Sequence, residues 1–213
     1  MAERRTAQRA AKDRKTAILE AAARVIARRG VRGLRMEELA AEARVSKALV
    51  YYHFADRADL LRHTLRFIGD RAERYTRDEP LERRLLLELQ DTPEVRENST
   101  AWAELRASAV FEPELREELA RAGQEWVREI ADLLGGTTPA APDAALVAAA
   151  ERLTVLLEGL STRWLIGLLP VGHASELMRE AITAEVEALR RSAGAGEDER
   201  PFRSGARTAC TVG

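Results

Sequence analysis

The sequence predicts an all-α protein of about nine helices, and three observations support that fold class. Ala, Leu, Arg and Glu dominate the 213 residues, and residues of this kind favour helix over strand. Apolar residues recur at helical intervals, as at Ile18, Ala22 and Val25, rather than in the alternation typical of strands. Glycine and proline separate the periodic segments, as Gly30 does after the first of them.

The composition favours a reducing compartment and gives no membrane segment. The chain is 46% hydrophobic and 32% charged, which suits a buried core with a charged surface. Cys210 is the only cysteine, so no internal disulfide can form, and we expect a cytoplasmic protein. The charged N-terminus is not followed by an apolar segment, so a secretory signal is not predicted. The longest apolar stretch, residues 153–169, contains Glu158 and Arg163 and is expected to be a buried helix.

Basic and acidic residues are unevenly distributed along the chain. Its net charge is −1, yet residues 1–74 hold 18 basic and 10 acidic side chains, whereas residues 75–213 hold 16 and 25. The first third therefore carries a net charge of +8 and the remainder −9. A basic end of this kind suggests contact with a polyanion such as nucleic acid, and a solvated helical surface is the alternative.

Periodicity and stop signals divide the chain into four regions. We expect a flexible basic arm at residues 1–13, a first helical domain at 14–60, a larger helical domain at 61–192 and a disordered tail at 193–213. The predicted helices span residues 14–29, 36–43, 46–54, 56–77, 80–90, 99–111, 113–134, 143–169 and 175–191. Pro93 is expected to break the fifth helix, and Gly135 with Gly136 to end the seventh.

The segment VSKALVYYHF, residues 45–54, combines an apolar stripe with a row of hydrogen-bonding side chains. Ser46 is a suitable N-cap for it. A helix of about two turns is not stable alone, so Leu49, Val50 and Phe54 must pack against the two preceding helices. The opposite face is then presented outward. Two short helices joined by a tight turn form a helix-turn-helix, and its second helix fits the major groove of DNA.

Residues 21–61, AAARVIARRGVRGLRMEELAAEARVSKALVYYHFADRADLL, resemble the N-terminal DNA-binding domain of the tetracycline-repressor (TetR) family. The matching features are the helix ending at Gly30, MEELA at 36–40, VS at 45–46 and VYYHF at 50–54. The resemblance covers about a fifth of the chain closely. It implies a homodimer in which a three-helix domain binds double-stranded DNA, and a larger C-terminal helical domain binds a small-molecule effector and dimerises.

Three positions depart from the family pattern. Arg44 stands at a turn position where the family usually has Gly, so it must adopt a less favourable backbone conformation or alter the turn. Ala48 replaces another Gly and adds a methyl group at the groove. Arg35 stands where Thr or Ser usually caps the second helix; it cannot cap, but it could reach a phosphate. The operator sequence therefore cannot be predicted by analogy.

Eight residues are candidate DNA contacts: Arg35, Ser46, Lys47, Ala48, Tyr51, Tyr52, His53 and Arg57. Lys47 is the best candidate for a base-edge contact, to guanine O6 and N7, while Ala48 could pack against a thymine methyl group. The resemblance implies that Tyr51, His53 and Arg57 hold phosphates, which fixes register without reading sequence. The alternative for the aromatic residues is an ordinary surface or half-buried position.

The arginines of the N-terminal arm, Arg4, Arg5 and Arg9, have two interpretations. They could form a solubilising tail, or an arm that enters the minor groove.

Six residues of the second domain are candidate ligand contacts: Trp102, Arg106, Phe111, Trp126, Glu158 and Trp164. They lie on helices that, by resemblance to the family, wall the effector pocket. Aromatic residues at helical spacing also serve as ordinary core. A carboxylate on the mostly apolar helix at 143–169 needs a partner. For Glu158 the partner could be Arg152, Arg163 of a second subunit, or a cationic ligand.

No residue pattern indicates an enzyme, a cofactor or a metal site. The chain has no glycine-rich phosphate loop, no Ser/His/Asp grouping and no metal-ligand spacing around His63 or His173. The favoured hypothesis is a DNA-binding regulator, most simply a repressor, that dimerises through the helices at 143–169 and 175–191. The alternative is a helical small-molecule carrier or enzyme with an incidental basic N-terminus.

Overall fold

The computed structural model describes residues 2–198, with side chains at residues 12–193, and in this part of the chain it contains helices and no strand. The nine helices are α1 (Ala2–Arg29), α2 (Met36–Glu42), α3 (Lys47–His53), α4 (Arg57–Thr76), α5 (Leu81–Leu87), α6 (Pro93–Ser108), α7 (Pro113–Thr137), α8 (Asp143–Leu165) and α9 (Val171–Asp198). A 3-10 turn at Val31–Gly33 links α1 to α2. The predicted fold class is confirmed. No helix in the described range combines the length and apolar character needed to cross a membrane.

The apolar residues form two separate cores. The first, here called the head core, joins α1, α2, α3 and α4, and its fully buried members include Ile26, Leu39, Val50 and Leu60. Helix α6 also enters the head core, through Leu105 among others. The predicted boundary between residues 60 and 61 falls inside α4, so it is not a boundary in packing.

The second core, here called the body core, joins α5, α7, α8 and α9. Its members include Leu85, Ile130, Leu153 and Met178, each of which is almost fully buried. Helices α7, α8 and α9 have 25, 23 and 28 residues, and α8 packs against both α7 and α9.

Side-chain caps fix where α3 and α4 begin. The hydroxyl of Ser46 accepts a hydrogen bond from the backbone N–H of Leu49 at 3.1 Å, as predicted for the start of α3. Asp56 caps α4 by accepting from the N–H of Asp59 at 2.7 Å, and the carboxylate of Asp59 accepts from the N–H of Ala55 at 3.1 Å. These reciprocal bonds set the angle at which α4 leaves the helix-turn-helix.

Both termini are more helical than predicted. Residues 2–13 belong to α1, which therefore begins 12 residues earlier than predicted, and the flexibility of this arm stays a prediction. The segment contains no glycine or proline and is rich in Ala, Arg and Lys, which is sufficient to continue the helix. At the other end α9 begins at Val171 and reaches Asp198, so the tail predicted from residue 193 is helical as far as 198. Residues 199–213, including Cys210, lie outside the described range.

Three internal helix boundaries that were predicted from proline or glycine differ from those in the structure. Pro93 does not break a helix; it opens α6, where its missing N–H is not needed, and Thr92 caps that helix. Helix α7 runs through Gly135 and Gly136 to residue 137. Packing of Leu134 and its neighbours in the body core exceeds the propensity loss of about 1 kcal/mol per glycine. Helix α8 ends at residue 165, four residues earlier than predicted.

Candidate nucleic-acid interface and internal cavity

The recognition helix α3 has one buried face and one exposed face. Val50 is fully buried and Phe54, just beyond the helix end, is 1% exposed, so both anchor α3 to the head core. On the opposite face Lys47, Ala48 and Tyr52 are exposed, and Tyr52 retains 79% of its accessible surface. A helix held by its apolar side, with its polar side free, has the shape that the major groove accepts.

Lys47 at the start of α3 forms an ion pair with Glu37 of α2. Its Nζ atom also lies 6.0 Å from the centre of the Tyr51 ring, within range of a cation–π contact. Both members of the ion pair are well exposed, so the pair adds little stability. It does fix the direction in which the ammonium group points. The hydrogen bond from Lys47 also lowers the pKa of Glu37.

Tyr51, Tyr52 and His53 differ in exposure at the end of α3. Tyr51 is half exposed, and the Tyr52 ring meets His53 edge-on with 5.2 Å between ring centres. Burial, followed by the charges of Lys15 and Arg14 on α1, lowers the pKa of His53. The imidazole is therefore mostly neutral at pH 7 and can meet a phosphate as a hydrogen-bond donor rather than as a cation.

The remaining predicted contacts on this side of the head are Arg35 before α2, Ser46 in the turn between α2 and α3, and Ala48 in α3. Arg44 has a φ of 55°, so the expected unfavourable backbone conformation is present. Arg35 is exposed at the start of α2 and makes no capping bond, which leaves its guanidinium at the surface. Ser46 and Ala48 are also exposed on this side of the head.

Arg57 at the start of α4 is only partly buried and bonds to other parts of the protein. Its Nη2 atom donates to the backbone carbonyl of Val31 at 2.7 Å, and its Nη1 atom lies 3.4 Å from Glu112 just before α7. Glu104 of α6 accepts a hydrogen bond from the N–H of Val31 at 3.2 Å. Glu104 and Arg57 thus bind the backbone N–H and the carbonyl of Val31 in the turn after α1. Their contacts connect the head to α6 and α7.

Gly30 is required for that connection. Its φ of 72° lies in the left-handed region, and a Cβ added there would stand 2.7 Å from a carboxylate oxygen of Glu104. Any other residue would strain the backbone and displace the carboxylate.

A cavity of about 960 Å³ lies between α4, α6, α7 and α8. Four of the six predicted ligand residues line it, namely Trp102, Arg106, Trp126 and Glu158. The other two lie elsewhere. Phe111 is exposed between α6 and α7 and borders a smaller pocket beside Gly30, because the chain leaves α6 before reaching it. Trp164 is 4% exposed and packs under Arg96, since it lies on the inward face of α8.

Ion pairs cross the cavity from helix to helix. Glu158 of α8 pairs with Arg106 of α6, so neither Arg152 nor a second subunit is needed to balance it. Glu118 of α7 is buried and receives two hydrogen bonds of 2.6 Å from Arg66 of α4. Arg121 also donates to Glu118, and these bonds lower the pKa of that carboxyl group. Three of the four arginines that line the cavity, Arg66, Arg106 and Arg121, are therefore engaged by carboxylates.

A polar cluster closes the α5 side of the cavity. Tyr75 of α4 donates its hydroxyl hydrogen to Oε2 of Glu88 at 2.8 Å. Burial raises the pKa of Glu88 to about 7, while the hydrogen bond from Tyr75 and the charge of Arg84 lower it only in part. Asn98 of α6, which is buried, donates to the carbonyl of Ile68 at 3.2 Å and lines the cavity beside Glu88.

Comparison with known families assigns both halves of the chain. Residues 18–64 match the bacterial regulatory proteins of the tetR family. Residues 77–191 match the C-terminal domain of the BetI-type transcriptional repressors. The chain belongs to the TetR family. It is thus a DNA-binding transcriptional regulator, and the predicted family and function are confirmed.

Solved structures agree with this assignment. A protein from Rhodococcus sp., assigned to the TetR-family transcriptional regulators, is 44% identical and aligns over 82% of this chain and 99% of its own, with a TM-score of 0.76. A transcriptional regulator from Saccharomonospora viridis, solved in complex with choline, is 24% identical over 81% of this chain and 96% of its own, with a TM-score of 0.65. NalD, a repressor of a multidrug efflux pump in Pseudomonas aeruginosa, is 22% identical over 82% and 97%, with a TM-score of 0.59. Among curated proteins, none matches the chain.

Several candidate site residues of this TetR-family protein could not be identified from the sequence. Contacts between different helices bring Glu37, Lys15 and Glu104 to the site, and such contacts cannot be read from the sequence alone. Glu88 did leave a signal, since it is the one acidic residue in the leucine-rich run at residues 85–89. Across the described part of the chain, no group of three or more His, Cys, Asp or Glu is placed to hold a metal ion.

Proposed function

We propose that this TetR-family regulator acts in the cytoplasm as a homodimeric repressor that binds a palindromic operator and is released by a small-molecule effector. The observation that carries the proposal is the position of α6. This helix packs into the head core through Leu105 and lines the cavity through Trp102 and Arg106. One rigid element therefore touches both the DNA-binding head and the space available to a ligand.

An exposed apolar face on α8 supports a dimer. Ala148, Val155 and Gly159 lie on the side of α8 opposite its buried stripe, and Ile166 directly follows the helix on the same side. Val155 and Ile166 are 69% and 64% exposed. Exposed apolar residues on one helix face favour association with a second copy. Helices α8 and α9 of two subunits would then form a four-helix bundle. Such a dimer presents two recognition helices to successive major grooves about 34 Å apart.

Release would follow from a change in that separation. A ligand in the cavity moves α6 relative to α4, and the bonds from Glu104 and Arg57 to Val31 transmit the movement to the head. When both recognition helices can no longer dock together, affinity falls. A regulator of the same fold was solved in complex with choline, which supports a small-molecule effector. NalD, which has the same fold and is a repressor, supports repression.

The test is binding to the DNA that flanks the gene of this protein. We expect a retarded complex in a gel shift, and a footprint with two-fold symmetry whose halves are about one helical turn apart. A scrambled duplex of the same length and composition is the control for binding through phosphates alone. The proposal is wrong if flanking and scrambled DNA bind equally, or if the footprint has no symmetry.

A further inference from the structure

The three glutamates of α2 have different partners. Glu38 and Glu42 bond to arginines of α1 at 3.0 and 2.9 Å, and their side chains are only 24% and 25% exposed. Glu37 lies on the other side of α2, is 70% exposed and pairs with Lys47 at the start of the recognition helix. Two of the carboxylates therefore join helices within the head, whereas the third meets the helix that is presented to DNA.

Glu37 contributes little to the stability of the head. Among the described residues, Lys47 is the only side chain that pairs with it, and both partners are well exposed. Solvent screens an ion pair of this kind, and ordering two long side chains offsets much of the remaining attraction. A position in the first turn of α2 favours any carboxylate through the helix dipole, and Glu38 shares that benefit. The effect of the pair that matters is therefore on Lys47.

Lys47 is restrained by two neighbours. Its ammonium group donates to the carboxylate of Glu37 and lies 6.0 Å from the centre of the Tyr51 ring. The hydrogen bond to Glu37 also raises the pKa of Lys47. An ammonium group has three hydrogens, so a bond to Glu37 leaves two of them free for a further acceptor. Lys47 thus remains a donor while its position and its charge are both constrained.

The pairing changes which DNA groups attract Lys47. An unpaired lysine is a point charge on a flexible stem, and it binds a phosphate of any sequence. Beside Glu37 the charge of the lysine is balanced, and the carboxylate repels an approaching phosphate. Guanine O6 and N7 are neutral acceptors, which take the remaining hydrogens without displacing the carboxylate. The pair therefore disfavours the DNA backbone more than it disfavours a base edge.

We propose that Glu37 is a specificity-determining residue of the DNA interface, which keeps Lys47 from phosphates and directs its ammonium group to a guanine edge. Glu37 is a positioning residue, since it acts through Lys47 and does not itself read a base. The inference rests on the proposed function, because it requires that α3 reads an operator.

The size of the effect follows from the strength of an exposed ion pair. Such a pair changes an equilibrium constant by a factor of about two to five, and two subunits multiply that factor by itself. Removing the carboxylate should therefore raise the affinity for DNA of unrelated sequence by about fourfold to twenty-five-fold. Each freed lysine neutralises one more phosphate, so the salt dependence of that binding should steepen by about two in log–log slope for a dimer.

The experiment begins with selection of bound sequences from a pool of random duplexes by the full-length protein and by Glu37→Gln. Affinities are then measured by fluorescence anisotropy for the enriched duplex, for single-base variants of it and for a scrambled duplex, between roughly 50 and 200 mM salt. Glu38→Gln is the matched control, because it removes the same charge from the neighbouring residue. Lys47→Ala, alone and combined with Glu37→Gln, tests whether the effect passes through the lysine. Thermal unfolding checks that every variant is folded.

We expect Glu37→Gln to bind scrambled DNA about fourfold more tightly or better, with a steeper salt dependence, and to lose preference at one base pair per half-site. Glu38→Gln should keep the ratio of specific to scrambled affinity within about twofold. In the absence of Lys47, Glu37→Gln should no longer change that ratio.

Three results would overturn the inference: an unchanged ratio in Glu37→Gln, an equal fall in Glu38→Gln, or a fall that persists without Lys47. The selection distinguishes the two proposals. If the unaltered protein enriches no sequence, operator binding itself fails and the inference fails with it. If a palindrome is enriched and Glu37→Gln reads it with the same preference, the proposed function stands and only the role of Glu37 is refuted.

Discussion

Glu88 should make the stability of the ligand-free protein fall as pH rises. Replacing it by glutamine keeps the side-chain shape and an acceptor for the Tyr75 hydroxyl but removes the ionisable group. A carboxyl group whose pKa is raised on folding binds protons more tightly in the folded state. Its contribution is therefore fully favourable below the unfolded pKa and is lost as pH rises through the folded pKa.

The size of the effect follows from the two pKa values. With 4.5 for the unfolded chain and about 7 for the folded protein, Glu88 lowers the free energy of unfolding by about 1 kcal/mol at pH 5 and about 3 kcal/mol at pH 8. Relative to the unaltered protein, Glu88→Gln should therefore gain about 2 kcal/mol of stability between these pH values.

The assay is urea unfolding at pH 5, 6, 7 and 8, at one fixed protein concentration because a dimer is expected. Glu151→Gln is the matched control, since its carboxylate is exposed and its loss should leave the pH profile nearly unchanged. If the profiles of the unaltered protein and Glu88→Gln run parallel from pH 5 to 8, Glu88 does not ionise in a buried setting, and the reasoning is refuted.

Four further outcomes are expected. Lys47→Ala should weaken binding to the operator by about 1–3 kcal/mol and relax the preference at one base pair per half-site, measured on a panel of single-base variants. Tyr51→Phe should weaken operator and scrambled DNA by similar factors, and a change in base preference would show that the two roles are reversed. Operator affinity should fall about a hundredfold or more between roughly 50 and 200 mM salt, and a flat titration would rule out a phosphate-dominated interface. Ala148→Glu combined with Ile166→Glu should give monomers in sedimentation, and a persisting dimer would place the interface elsewhere.

The head of the molecule could be predicted closely because its signals are local. The Ser46 cap, the apolar spacing that buries Val50 and the strained turn at Arg44 all depend on residues within a few positions of one another. Arg57 lies within the same matched segment, yet its predicted phosphate contact stays a prediction. Its guanidinium reaches a carbonyl 26 residues away, and no local pattern encodes that distance.

The body of the molecule was predicted less well for two physical reasons. Helix α7 continues through two consecutive glycines because tertiary packing stabilises it there, whereas helix propensity alone predicts that it ends. Helical periodicity also gives the face of a residue only relative to its own helix, so it could not separate Trp102, which borders the cavity, from the buried Trp164. The partner of Glu158 likewise came from α6, a helix that the sequence analysis placed six residues too late.

Helix α6 has a thermodynamic consequence because it belongs to the head core and to the cavity wall at once. If an effector lowers operator affinity by some factor, the operator must lower effector affinity by the same factor. The concentration that triggers release from DNA is therefore higher than the dissociation constant measured on the free protein. Every additional operator copy in the cell raises the dose at which a given fraction of the sites becomes vacant, so the threshold of the switch is set by the genome as well as by the cavity.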